Sequence, residues 1–263
     1  MFPQYDFLFS TMITLGVIAM LIYFVFMIKK HKIKDELIDR LIIILAISGA
    51  AMLFSANYFN TLFHYLSSNP FTFKALFTIL SELQGITYLA GFMGGAIVFI
   101  LLFWIFLKSE RKNMLFYLNI VVTGVVLAHA FGRIGCFLAG CCYGTKTSAW
   151  YGIIFPAGSP ASFHYHDGLE SVKVIPTQLI EAIFLFGLFG VLDYLKKNQL
   201  AIYFLSYGIF RFLIEFIRDD ARGTFIPGLS PSQFLSLIAI LIGILMLLYP
   251  LFCKLNFKKA MKQ

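Results

Sequence analysis

The chain has 263 residues, of which 60% are hydrophobic and 13% charged, with a mean hydropathy of +0.85. A soluble domain carries about a quarter charged residues, so this composition excludes an ordinary water-soluble globule and places the chain in the membrane class. The formal net charge of +8 raises nucleic acid as a partner, and the positions of the lysines decide against it.

A spanning helix needs roughly 20 apolar residues. Seven windows qualify: about 7–28, 41–62, 85–107, 114–132, 178–195, 200–217 and 232–252. The start, "MFPQYDFLF", has no basic residue, and the run behind it exceeds the about 7–15 residues of a signal h-region, so it reads as a retained span. The second span has an amphipathic lead, "KIKDELIDR", placed at the interface. Glu82 and Gln84 precede the third span as interfacial residues.

The fourth span ends in "FGRIGCFLAGCCYG". His129 lies one turn before Arg133 and is expected to face inward. Arg133 alone reads as a snorkelling residue at a helix end. Gly132, Gly135 and Gly140 around it permit close backbone approach and positive φ. Irregular backbone at membrane depth needs a protein-covered or water-filled cavity, so a polar cavity is the competing expectation. An arginine there presents a planar fork that matches phosphate. Cys136, Cys141 and Cys142 admit a disulfide, with Cys136 as one partner, or small apolar packing. Their C-x4-C-C spacing lacks the paired C-x2-C knuckles of a zinc site.

Residues 133–177 form the one stretch long enough for a small lobe outside the membrane. His164 and His166 in "FHYHDG" alternate like strand or loop residues, with no third ligand at metal-site spacing. Gln178 and Glu181 open the fifth span, either as a helix start with an acid near the positive dipole end or as polar lining of a cavity. Arg211, Glu215 and Arg218 in "FRFLIEFIRDD" are spaced four and three apart, on one helical face. An ionisable residue as deep as Arg211 faces a bundle interior. The arrangement is an Arg211–Glu215 structural pair, an anion grip, or both.

The connections alternate in basic content, and 14 of the 21 Lys and Arg lie on one side. That excess marks the cytoplasm, so the amino terminus is expected outside and the carboxy terminus inside. The charge is spread over short flanks, which removes nucleic acid as a partner. The predicted fold is an all-α integral membrane protein: seven transmembrane helices with a small extracytoplasmic lobe between helices 4 and 5, in one domain over 1–263.

Five ordered stretches carry a family resemblance. "GRIGCFLAGCCYG" resembles the signature of the prolipoprotein diacylglyceryl transferase family, approximately G-R-x-G-N-F-x-N-G-E-x-x-G. "WYGIIFPAGSPAS", "IPTQLIEA", "FRFLIEFIRDD" and "SPSQFLSL" resemble the stretches that follow it in that family. The resemblance implies a transferase of the bacterial plasma membrane that moves a diacylglyceryl group from phosphatidylglycerol to the lipobox cysteine of a preprolipoprotein, releasing glycerol phosphate. Its partners would be an anionic phospholipid and a preprolipoprotein signal peptide, with no cofactor and no metal. Arg133, Arg211, Glu215 and His129 would be catalytic. Arg218, Gln178, Glu181, Gly135, Gly140, Gly144, Cys136, Cys141 and Tyr88 would meet substrate, with Arg133 and Arg211 converging on one headgroup.

The departures are specific. Cys136 and Cys141 replace an asparagine and a glutamate of the signature, and Ile175 replaces a histidine. The family's H-G-G near the third span has no histidine counterpart, Leu89-Ala90-Gly91 being read in its place. The anion grip survives while the acid–base groups are depleted. His129, His166 or Tyr88 would supply a base, or the acceptor differs, or the protein binds or transports lipid without turnover.

Overall fold

A computed structural model describes residues 3–69, 72–73, 75–81, 87–219 and 228–260, with side chains described for 7–66, 69, 72–73, 77–80, 87–219 and 228–249. Glu82, Gln84, Arg222 and the side chain of Cys253 lie outside this set. The helices are α1 (Pro3–Lys30), α2 (Asp35–Ser68), α3 (Ala75–Thr78), α4 (Tyr88–Phe106), α5 (Met114–Leu138), α6 (Pro160–His166), α7 (Thr177–Leu195), α8 (Gln199–Ile214) and α9 (Pro231–Ala260). Strands β1 (Ile153–Phe155) and β2 (Val172–Val174) complete it. Seven of the helices are long and apolar enough to cross a membrane.

Two boundaries differ from the sequence reading for electrostatic reasons. α2 begins at Asp35 because the amphipathic lead continues the helix, with Asp35 and Glu36 at its positive dipole end. α5 runs on past 132 to Leu138, so Arg133, Gly135 and Cys136 are helical rather than loop residues. An ion pair described below compensates the guanidinium and lets the helix continue through it.

Helices pack in pairs: α2 with α4, α1 with α5, and α8 with α9, while α5 also packs on α7 and α8. Polar ties also run between elements. Thr87 Oγ1 donates to Asn60 Oδ1 at 2.9 Å, and Tyr23 OH donates to Asp193 Oδ1 at 3.1 Å. Near the α7–α8 turn, Gln199 Nε2 donates to Thr123 Oγ1 and to the Leu192 carbonyl, each at 3.0 Å. Asn119 Oδ1 accepts there from Leu200 N at 2.9 Å. In a medium with little water, such groups hold position because an unmade bond costs several kcal/mol.

The lobe lies between α5 and α7. β1 and β2 pair antiparallel, with Ile153 opposite Val174 and Phe155 opposite Val172. Tyr143, Phe155, Ala161, Val172 and Val174 form its small core. His164 and His166 sit on a helix here, not a strand. Ser159 Oγ accepts from Ser162 N at 3.2 Å and Pro160 occupies the first turn, which starts α6.

Candidate active site

Glu181, one turn into α7, has no exposed surface. An isolated carboxylate there would cost several kcal/mol, so its partners define the site. Arg133 Nε stands 3.0 Å from Glu181 Oε1. Tyr207 OH donates to the same oxygen at 2.8 Å. The other oxygen is 4.0 Å from Arg218 Nη1.

His129 lies one turn before Arg133 on the same face of α5. Arg133 Nε also donates to His129 Nε2 at 3.2 Å, and His129 Nε2 is 3.9 Å from Glu181 Oε1. Arginine offers no acceptor, so Nε2 is the accepting nitrogen and a neutral His129 carries its proton on Nδ1. Nδ1 is buried without a hydrogen-bond partner among the described residues. Tyr88 lies flat against the imidazole, and Tyr207 meets it edge-on with centroids 5.2 Å apart.

The second half of the site comes from α8 and the start of α9. Arg211 Nη2 is 2.7 Å from Glu215 Oε2 and donates to Ser232 Oγ at 2.9 Å. Ser230 Oγ donates to Glu215 Oε1 at 2.7 Å. Arg218 Nε lies 3.8 Å from Glu215 Oε2. The charges therefore alternate in one ladder: Arg133, Glu181, Arg218, Glu215, Arg211. Three guanidinium groups against two carboxylates leave one positive charge in excess among the described residues.

The sequence placed Arg211, Glu215 and Arg218 on one helical face. Only the first pair is helical in that sense. α8 gives way to a 3-10 turn at Glu215–Ile217, and Arg218 is extended. Arg218 is held there by backbone pairing with Gly144, through Thr145 N to the Ile217 carbonyl at 3.0 Å. A Cβ on Gly144 would sit 2.7 Å from that carbonyl oxygen, so the close approach that delivers Arg218 requires glycine.

The remaining predicted residues divide. Gly140 takes φ +67° and turns the chain after α5. Gly135 instead sits where α5 meets Met12 and Phe9 of α1. Gln178 Nε2 donates to the Cys141 carbonyl at 2.5 Å, and Thr177 Oγ1 to the Cys142 carbonyl at 2.7 Å. Gln178 thus ties the cysteine loop to α7 instead of joining the charge ladder. Cys136, Cys141 and Cys142 are thiols with sulfurs within 4.8 Å of one another. His164 and His166 lie in the lobe, near Asp219 at 4.0 Å and Glu170 at 3.4 Å.

Sequence reasoning missed Tyr203, Tyr207, Ser230 and Ser232. Tyr203 donates to Tyr88 OH at 3.3 Å and stacks on Tyr207 with centroids 5.5 Å apart. The signal for the tyrosines was present: 203, 207, 211 and 215 recur every fourth residue, one stripe of α8.

The model of the family described as prolipoprotein diacylglyceryl transferase matches residues 7–249. The chain is similar to the phosphatidylglycerol–prolipoprotein diacylglyceryl transferase 2 of Clostridium perfringens (strain 13 / Type A), 43% identical over 52% of this chain and 53% of the relative. The phosphatidylglycerol–prolipoprotein diacylglyceryl transferase of Clostridium tetani (strain Massachusetts / E88) is 39% identical over 63% of this chain and 65% of the relative. The protein of that name from Dehalococcoides mccartyi (strain ATCC BAA-2266 / KCTC 15142 / 195) is 30% identical over 92% of this chain and 88% of the relative. The matched stretch thus spans about half to two thirds of the two clostridial relatives and most of the third. With the family model covering nearly the whole bundle and its charge ladder, the chain belongs to the prolipoprotein diacylglyceryl transferase family.

Proposed function

We propose that this protein transfers the diacylglyceryl group of phosphatidylglycerol to the thiol of a lipobox cysteine in a preprolipoprotein, releasing glycerol phosphate. The observation that carries the reading is the buried ladder of three arginines and two glutamates with its excess positive charge. A bundle interior retains such charge for an anion. Seven helices long and apolar enough to cross a membrane support a lipid as the carrier of that anion.

In this reading Arg133 exchanges Glu181 for a phosphate oxygen, and Arg211 and Arg218 add positive potential where the leaving phosphate gathers charge. The exchange frees His129 Nε2, which takes the proton of the acceptor thiol. Glu181 Oε1, 3.9 Å away, balances the imidazolium. The sulfur attacks the glyceryl carbon, the carbon–sulfur bond forms as the carbon–oxygen bond breaks, and glycerol phosphate leaves with the electron pair. The asymmetry of basic flanks supports an external amino terminus, a cytoplasmic carboxy terminus and residence in the bacterial plasma membrane. The signal-peptide segment of the acceptor would enter from the membrane.

The test is lipidation of a synthetic lipobox peptide by purified protein in phosphatidylglycerol nanodiscs. The expected product is a cysteine thioether with an equal amount of glycerol phosphate, lost in Arg133→Ala. A correctly folded protein that yields neither product overturns the reading. A second reading, with the same donor and another acceptor, draws on the absence of histidine at Leu89 and Ile175. Lipoproteins that stay fully modified in a deletion strain, alongside a changed lipid profile, would favour it.

A further inference from the structure

We propose that Cys136, Cys141 and Cys142 form a three-thiolate site for a thiophilic d10 cation, Zn(II), whose fourth position takes the acceptor thiol. This deepens the function proposed above and rests on it for the acceptor.

The linear spacing C-x4-C-C is no zinc motif; the chain's path makes the site. Cys136 lies in the last turn of α5, which stops at Leu138. Gly140 at φ +67° and Cys142 at φ +63° then reverse the chain. Cys141 N donates back to the Cys136 carbonyl at 3.1 Å. This return brings all three sulfurs within 4.8 Å of one another. Three thiolates about 2.3 Å from one zinc ion are separated by about 3.8–4.0 Å, so a small contraction closes the site. A disulfide uses only two of the three neighbouring sulfurs.

Neighbouring groups fix the loop. Thr177 and Gln178 hold the Cys142 and Cys141 carbonyls, the outer-shell support that metal ligands have. Arg133 is one turn before Cys136, and its charge acts on Cys136 and Cys142. No fourth His, Cys, Asp or Glu joins the group among the described residues, which is the open-position pattern of catalytic zinc.

The chemistry balances without redox change. Three thiols lose three protons to solvent as three metal–sulfur bonds form. An acceptor thiol in the fourth position would be ionised outright by the metal, its proton passing to solvent. Its sulfur would form the carbon–sulfur bond as the glyceryl carbon–oxygen bond breaks, with glycerol phosphate leaving with the electron pair and the metal unchanged in oxidation state. The site stands one helical turn from the arginine assigned to phosphate, and it supplies nucleophile activation that the missing family histidines do not.

The experiment uses the full-length protein in detergent or nanodiscs. Purified under reductant and equilibrated with Zn(II), it is expected to retain one zinc per chain. Cys136→Ser, Cys141→Ser and Cys142→Ser lose it, and Cys253→Ser keeps it. In wild type, which needs no folding control, bound zinc slows alkylation of the three thiols ~10-fold or more, as metal ligation blocks the thiolate. Cu(I) runs in parallel, and retention of Cu(I) but not Zn(II) overturns the choice of ion and its open fourth position. In Co(II)-loaded protein a lipobox peptide raises the sulfur-to-cobalt absorption, and the same peptide with serine for cysteine does not. Zinc content equal to that of the triple serine variant overturns the site. A cobalt spectrum indifferent to the thiol peptide overturns the acceptor role. Full lipidation by zinc-free protein overturns the inference while leaving the transferase reading intact. Zinc and cobalt binding as expected, with no lipidation, would locate the failure in the transferase reading.

Discussion

Tyr88 lies face to face with His129, ring centroids 3.4 Å apart and planes 15° from parallel. The stack, the Tyr207 edge and the Arg133 bond leave the imidazole one orientation. A general base so held contributes about 10²–10⁴-fold. His129→Gln is therefore expected to lower kcat by that range with little change in KM for lipid. Tyr88→Phe keeps the stacking face and loses only the contact with Tyr203, so it retains most activity. Steady-state lipidation kinetics on both variants decide this.

Arg133 and Glu181 are buried together, and removing one partner leaves an uncompensated ion. Arg133→Met and Glu181→Leu are each expected to destabilise by about 3–5 kcal/mol. The double replacement restores much of that stability, because an apolar pair needs no charge balance, yet it remains inactive. Thermal unfolding in detergent gives the coupling energy of the cycle. Independent, additive losses would refute the pairing.

How much of this was legible follows from what each residue needs. The seven spans were visible because length and hydropathy alone set them. The inward positions of His129 and Arg211 were expected because lipid tolerates no other place for them, whereas Arg133 and Glu181 stayed open between a helix end and a cavity lining. That Arg133 pairs with Glu181 was not visible, since 48 residues separate them and helix packing decides the meeting. Nor was the extended Arg218 legible, because its backbone is set by pairing with Gly144 rather than by the periodicity of its own segment. Likewise, α6 was hidden by reading the alternation of His164 and His166 before the Ser159-Pro160 helix start.

Gly144 and Gly187 make a matched test of backbone approach. A Cβ at 144 meets the Ile217 and Ile175 carbonyls at 2.7 and 2.9 Å, while one at 187 meets nothing within 4 Å. Gly144→Ala is expected to displace Arg218 and reduce lipidation ~10-fold or more, about 1.4 kcal/mol per decade in rate. Gly187→Ala is expected to leave activity unchanged. Equal effects at the two positions would show that Arg218 needs no such placement.

The Tyr165 hydroxyl donates to the Asp219 carboxylate and joins the lobe to the segment that carries Arg218. Burial, then this bond to the carboxylate, raises the Tyr165 phenol above its ordinary value. A raised folded pKa contributes stability that is complete below the unfolded value of about 10 and declines as pH rises above it. Limited proteolysis of the lobe is expected to accelerate above that pH in wild type, and Tyr165→Phe abolishes the pH dependence.

The clasp of Gln199, Thr123, Asn119 and Leu200 joins α5, α7 and α8 at the end opposite the charge ladder. It is expected to act as a fulcrum. From residue 123 to residue 133 a helix extends roughly 15 Å, so a tilt of about 8° about the clasp parts the far ends by ~2 Å. That is the increment by which an arginine–carboxylate contact opens to water separation, and the near ends scarcely move. Pulsed electron spin distances between labels on α5 and α8 read this lever directly: a wide distribution at the charged mouth and a narrow one at the clasp.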